Sequence, residues 1–134
     1  MKISNLISLA VLLLFVDNSA VEAKTNRWKV SAKSGEKITL GIYKAWHDKT
    51  CFFKNAKIDV VTKPIFGQVT ASPVQSKITS DTQGVYFGCK GKVIKGLRVI
   101  YKSNRHFRGV DTLKIRHKVK GESENFYIYT INVD

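Results

Sequence analysis

Apolar residues in this chain recur at every second position, and no stretch beyond residue 24 holds a helical apolar stripe for three turns. Trp28, Val30 and Ala32 alternate with Lys29, Ser31 and Lys33, and after Ser34 and Gly35 the pattern resumes at Ile38, Leu40 and Ile42. Successive side chains of an extended chain point to opposite faces, so this spacing predicts strands with one buried and one solvated face. Residues 58–62 and 68–71 read as further short strands, separated by the turn signal Lys63-Pro64-Ile65-Phe66-Gly67, with the second ending near Ser72-Pro73. Tyr86-Phe87-Gly88-Cys89 with Gly91 and Gly96 bracket short pieces. Leu97, Val99 and Tyr101 then alternate with Arg98, Ile100 and Lys102, and Leu113, Ile115, His117 and Val119 with Lys114, Arg116, Lys118 and Lys120 up to a turn at Gly121-Glu122-Ser123, and a last strand is expected over 126–133. Turn signals at roughly ten-residue intervals predict an all-β, antiparallel sandwich of about seven strands.

The first twenty-three residues stand apart from that pattern. Lys2 precedes an uncharged, largely apolar run over 6–16, the length of a signal-peptide hydrophobic region, and Val21-Glu22-Ala23 places small residues where a signal peptidase reads them. Cleavage before Lys24 is expected, with cleavage after Ala20 as the alternative. The run is too short to cross a bilayer, which takes about 20 apolar residues in a helix. The expected organisation is therefore a signal peptide over 1–23 and one β-sandwich domain over 24–134, exported and either secreted or periplasmic, with no transmembrane segment in the mature chain.

Without the leader's Lys2, Asp17 and Glu22, 22 basic residues stand against 8 acidic ones, a net charge of +14. Such a charge favours acidic partners: an acidic protein, or a polyanionic glycan or envelope surface. Nucleic acid fits the charge but not the export. In an oxidising compartment the two cysteines, Cys51 and Cys89, are expected to form a disulfide. Closing a loop of about 38 residues stabilises a fold by around 3–4 kcal/mol in the chain-entropy model. His47, four residues before Cys51, forms no recognisable thiol-activating motif.

Val60-Val61-Thr62-Lys63-Pro64-Ile65-Phe66-Gly67-Gln68-Val69, then Val99-Ile100-Tyr101, Phe107-Arg108-Gly109-Val110-Asp111-Thr112-Leu113 and Ile131-Asn132-Val133 follow one another at a telling spacing. The pattern resembles bacterial cadherin-like and immunoglobulin-like repeats, with their proline-x-x-glycine-x-valine turn, tyrosine strand, phenylalanine-x-glycine-x-aspartate segment and terminal valine strand. The resemblance covers residues 58–134 and implies a β-sandwich used for adhesion or ligand binding, without enzymatic activity. Two departures matter. The acids are few and scattered where calcium-binding relatives gather them, so calcium is not expected and Asp111 is read as satisfying backbone donors in the turn after Gly109. Such domains also usually sit in long arrays, whereas this chain carries one copy, as a diffusible binder would.

The functional candidate is a basic face. With Leu113, Ile115, His117 and Val119 inward, Lys114, Arg116, Lys118 and Lys120 project from the other side at about 7 Å intervals. Arg98, Lys102, Arg105 and Arg108 precede them, and a hairpin partner would extend the same surface. Between Lys90 and Lys120 there are eleven Lys and Arg against one acid, Asp111. Lysines also serve simply to solvate a sheet and block edge pairing. Trp28, Trp46, Tyr86, Tyr101, Tyr127 and Tyr129 are read as core residues. The three histidines lack zinc spacing, and no phosphate loop, catalytic triad order or paired catalytic carboxylates stand out. No metal, cofactor or catalytic residue is expected. The reading is a secreted, non-enzymatic binding protein that docks an acidic partner. The alternative is a small secreted effector of a host-associated bacterium that binds and inhibits a host defence protein through loops 44–50 and 104–109.

Overall fold

The computed structural model describes residues 23–79 and 88–134. The leader's residues 1–22 and the expected piece at Tyr86 and Phe87 lie outside the described residues. Seven strands run in order: β1 (Lys24–Ala32), β2 (Lys37–Tyr43), β3 (Ala56–Thr62), β4 (Gly67–Lys77), β5 (Val93–Ser103), β6 (Gly109–Val119) and β7 (Asn125–Val133). They form a four-stranded sheet, β1-β7-β6-β3, and a three-stranded sheet, β2-β5-β4. Placing the second, fourth and fifth strands against the third, sixth and seventh is the partition of an immunoglobulin-type sandwich. One pair departs from the antiparallel expectation: β1 lies parallel to β7, from Lys24 opposite Asn125 to Ala32 opposite Val133. β1 leaves for the other sheet through the turn at Gly35, so its pairing partner is the last strand and not its sequence neighbour.

The main core lies between the sheets. β6 alternates as its sequence demands, with Leu113, Ile115, His117 and Val119 buried, and meets Val99 and Tyr101 of β5 and Tyr129, Ile131 and Val133 of β7. Strand β5 does something a simple alternation does not foresee. Its second half buries Val99, Tyr101 and Ser103 on the inner face, while its first half buries Ile94 and Gly96 on the opposite face, with no break in its pairing to β4. That outer patch is covered by the β2–β3 connection, where Trp46, Cys51, Ile78, Cys89 and Ile94 make a second, smaller core. The Cys51–Cys89 disulfide, with Cα atoms 5.4 Å apart, ties the β2–β3 and β4–β5 connections together there. The disulfide, and the lack among the described residues of any helix long and apolar enough to cross a membrane, are compatible with an exported protein.

Three local expectations change. β4 continues through Pro73 to Lys77, because it is an edge strand and a missing backbone donor can face solvent there. Ile42 faces outward and Tyr43 inward, because the register of β2 shifts between Thr39 and Gly41. Gly41 fits that shift: a Cβ on it would stand 3.2 Å from both the Tyr129 hydroxyl and the Tyr43 ring. Trp28 has the inward phase but is 55% exposed, because β1 is an edge strand with no third layer over it. Trp46, Tyr101 and Tyr129 are buried as expected, and Tyr127 packs against the core.

Candidate binding surface

The eight cations singled out by sequence do not share a face. Arg98 and Lys102 belong to β5 in the three-stranded sheet, whereas Lys114, Arg116 and Lys118 belong to β6 in the four-stranded one. Because β5 and β6 pair in different sheets, the expected extension of one cationic surface by a β5–β6 hairpin does not occur. The two sets project from opposite outer faces of the sandwich. Arg105 and Arg108 lie in the 104–108 connection between them, and Lys120 lies in the turn after β6.

On the β6 face the cations have partners. Arg116 Nη2 donates to Asp59 Oδ2 at 2.8 Å and its Nη1 stands 3.6 Å from Glu124, while Lys118 reaches Glu124 at 3.4 Å. The register makes this so, since Asp59 sits directly opposite Arg116 across the β3–β6 pair. The Arg116 guanidinium holds the Asp59 carboxyl below the usual carboxylate range. Lys57 lies 3.6 Å from the same carboxylate, and the Lys114 ammonium sits 4.6 Å from the centre of the Phe126 ring. Exposed pairs of this kind contribute at most about 1 kcal/mol each, so they matter here for neutralising the face rather than for holding the fold. Further along, Lys57, Lys118 and Lys120 line an open cleft with Asn55 and Ala56.

The outer face of the other sheet is built differently. Val99, Tyr101 and Ser103 turn inward, which sends Arg98, Ile100 and Lys102 outward. The register sets Lys37 of β2 directly opposite Lys102, Ile42 opposite Arg98, and Gln68, Thr70 and Ser72 of β4 on the other flank. None of the three strands contains an Asp or Glu. Like charges directly opposite one another in an antiparallel pair are destabilising, and no carboxylate offsets Lys37 and Lys102. The Arg98 Nε is buried without a hydrogen-bond partner. A cationic, hydroxyl-flanked sheet of this kind presents donors to an anion and few acceptors. Lys37 was absent from the sequence-based set, because its position opposite Lys102 is a consequence of register alone.

Two further groups are structural. Asp111 is only 2% exposed and accepts four hydrogen bonds, from the Ile65, Phe66 and Thr112 N–H groups and the Tyr101 hydroxyl. It does satisfy backbone donors, but not those of a turn after Gly109, since Gly109 opens β6; two belong to the β3–β4 turn and one to its own strand. Burial and the Asp111 carboxylate push the Tyr101 pKa up. His117 is buried against Tyr43, ring centres 5.5 Å apart, with Nε2 unpartnered, and burial pushes its pKa down. Among the described residues no three His, Cys, Asp or Glu side chains gather as a metal site would require.

No family model matches the chain, and no curated protein matches it. Among solved structures, a Photobacterium 2,6-sialyltransferase crystallised with CMP and lactose aligns at 10% identity with a TM-score of 0.29, covering 83% of this chain and 18% of that one. A likeness at that level carries no argument about activity.

Proposed function

We propose that this is an exported, non-enzymatic binding protein that docks an acidic partner, an envelope polymer, glycan or protein, against the outer face of the β2-β5-β4 sheet. The supporting observation is the uncompensated charge of that face: Lys37 opposite Lys102, with Arg98 beside them, in a sheet free of acidic residues. Of the equivalent cations on β6, Arg116 and Lys118 are drawn into pairs with Asp59 and Glu124, which lowers what they offer to an outside anion. Inhibition of a host defence protein through loops 44–50 and 104–109 is less well supported. Those loops follow the C-terminal ends of β2 and β5, which run antiparallel, so they sit at opposite ends of the sandwich and cannot share one interface.

The test compares elution of residues 24–134 from a heparin column with that of two triple variants. Lys37→Gln with Arg98→Gln and Lys102→Gln removes the β5 face, and Lys114→Gln with Arg116→Gln and Lys118→Gln removes the β6 face. Each set removes the same formal charge, so a purely nonspecific attraction moves both elutions equally. Much earlier elution of the first variant alone is expected; equal shifts, or a larger shift for the second, overturn the assignment.

A further inference from the structure

The turn between β3 and β4 carries Ile65, at 78% exposure the most exposed large apolar side chain among the described residues, and next to it Phe66 at 40%. These side chains are not on a loose loop. The buried Asp111 carboxylate receives the backbone N–H of both residues, at 3.0 and 3.1 Å, and Asn104 N donates to the Phe66 carbonyl at 2.7 Å. The Phe66 ring stacks on Phe107 with centroids 4.2 Å apart. Gly67 then packs so closely that a Cβ would meet the Lys102 carbonyl and the Tyr101 ring at 2.6 Å. The polar network of the core thus holds two apolar side chains out in water, which folding itself does not require.

Apart from the buried Asp111, whose oxygens are taken up by those hydrogen bonds, the Lys, Arg, Asp and Glu side chains of the turn and of the connection bonded to it are all cationic. Lys63 lies in the turn itself, Arg105 and Arg108 lie in the connection bonded to Phe66, and Lys102 stands opposite Gln68 at the same end of the sheet. Residues 60–70 and 99–110 include no Asp or Glu. Glu36 and Asp134 lie beside the β1–β2 turn, which meets this connection where Gly35 N donates to Ser103 Oγ at 2.8 Å, and among the described residues neither acid forms an ion pair with Lys63, Arg105 or Arg108. A convex apolar tip needs a matching cavity in a protein partner, but only a deformable medium at a lipid surface. Cationic side chains around such a tip find phosphate at the depth where the tip finds acyl chain.

We propose that this turn is an anchor that inserts Ile65 and Phe66 into the interface of an anionic lipid bilayer while Lys63, Arg105 and Arg108 contact the lipid phosphates. The proposal rests on the cationic docking described above and names its acidic partner as a membrane surface. The β2–β3 connection carries another exposed pair, Phe52 at 71% and Phe53 at 48%, but at the opposite end of β3, so it cannot enter the same surface and serves as a control.

The experiment uses residues 24–134 with phosphatidylcholine vesicles prepared with and without phosphatidylglycerol, and heparin as a soluble polyanion. Ile65→Trp, introduced with Trp28→Phe and compared with Trp28→Phe alone, reports insertion by a blue shift of the added emission and by its quenching from brominated acyl chains. Ile65→Ser, at a largely exposed side chain, tests the anchor without disturbing the Phe66 stack, and Phe52→Ser tests the other end. Expected are binding to phosphatidylglycerol vesicles only, a blue-shifted and quenched Ile65→Trp, about tenfold weaker binding by Ile65→Ser, and no change in Phe52→Ser. Heparin binding without vesicle insertion overturns the anchor and leaves the cationic docking standing. Failure to bind either overturns both, and loss of insertion in Phe52→Ser instead of Ile65→Ser overturns the choice of turn.

Discussion

Asp111 offers the sharpest test of how this sandwich is held together, because its four bonds allow a graded series. Oδ1 accepts the Ile65 and Thr112 N–H groups, both at 3.0 Å, and Oδ2 accepts the Phe66 N–H at 3.1 Å and the Tyr101 hydroxyl at 2.8 Å. In Asp111→Asn one oxygen becomes an NH2 donor. With the NH2 in place of Oδ2, the Tyr101 hydroxyl rotates to accept from it, which leaves its own proton and the Phe66 N–H without an acceptor; the other orientation strands two backbone donors. Two orphaned buried donors, one of them partly compensated, together with the lost charge cost about 2–3 kcal/mol. Tyr101→Phe removes one donor but leaves the carboxylate three others, a cost of about 1–2 kcal/mol. Asp111→Ala strands every donor at once and costs about 4 kcal/mol or more, a large share of the roughly 5–15 kcal/mol that holds a domain folded. Urea denaturation of residues 24–134 reads these directly, with an unchanged slope showing that the same surface is exposed. The expected order of loss is Tyr101→Phe, then Asp111→Asn, then Asp111→Ala. An Asp111→Asn protein within about 1 kcal/mol of the parent, or one more stable than Tyr101→Phe, refutes the account.

Three other outcomes follow from the geometry. Cys51→Ser with Cys89→Ser lowers stability by about 3–4 kcal/mol, and an unchanged melting temperature in thermal unfolding would show that the bridge constrains nothing. His117 is held below its ordinary 6.5 by burial, so the unfolded chain takes up a proton that the folded one refuses. Stability is therefore complete above that pH and declines as pH falls from 6.5 toward the folded value. A melting-temperature profile from pH 7.5 to 5 should show this decline, which His117→Leu removes; Asp59, depressed by Arg116, acts only at about pH 4 and below and does not blur the window. Arg116→Gln breaks two exposed pairs and is expected to cost less than about 1 kcal/mol in urea; a larger loss would mean the ladder carries the fold and not only the surface charge.

The strand pattern was legible wherever one face of a strand is buried along its whole length. β6 is the clearest case: Leu113, Ile115, His117 and Val119 turn inward as their spacing demands, and even the polar His117 follows the phase. The cysteine pair was legible from composition and from the export that the leader's pattern leads us to expect. Legibility failed where burial depends on another segment. β5 buries Ile94 on one face and Val99 on the other because the β2–β3 connection folds over its first half, and nothing within β5 announces that cover. Pro73 reads as a strand end until β4 is known to be an edge, and Ile42 reads as core until the shift at Gly41 turns Tyr43 inward.

The charged surface failed for a topological reason that also explains what the fold does with its charge. β5 and β6 are neighbours in sequence, so their cations look continuous, but the connection at 104–108 crosses the sandwich and sends them to opposite sides. On one side Asp59 and Glu124, far apart in sequence, are brought to Arg116 by register and by the β6–β7 turn. On the other, β2, β4 and β5 contribute no acid at all, a property visible in their sequences once the strands are grouped by sheet rather than by order. A strongly cationic small domain must either pair its charges or tolerate their repulsion. This one pairs Lys57, Arg116 and Lys118 on the β3–β6 part of the four-stranded sheet and leaves Lys37 and Lys102 facing one another on the three-stranded sheet, at the end that carries the turn with Ile65. Repulsion left in place there, next to apolar side chains fixed by a buried carboxylate, is what a partner supplying both negative charge and an apolar phase would relieve.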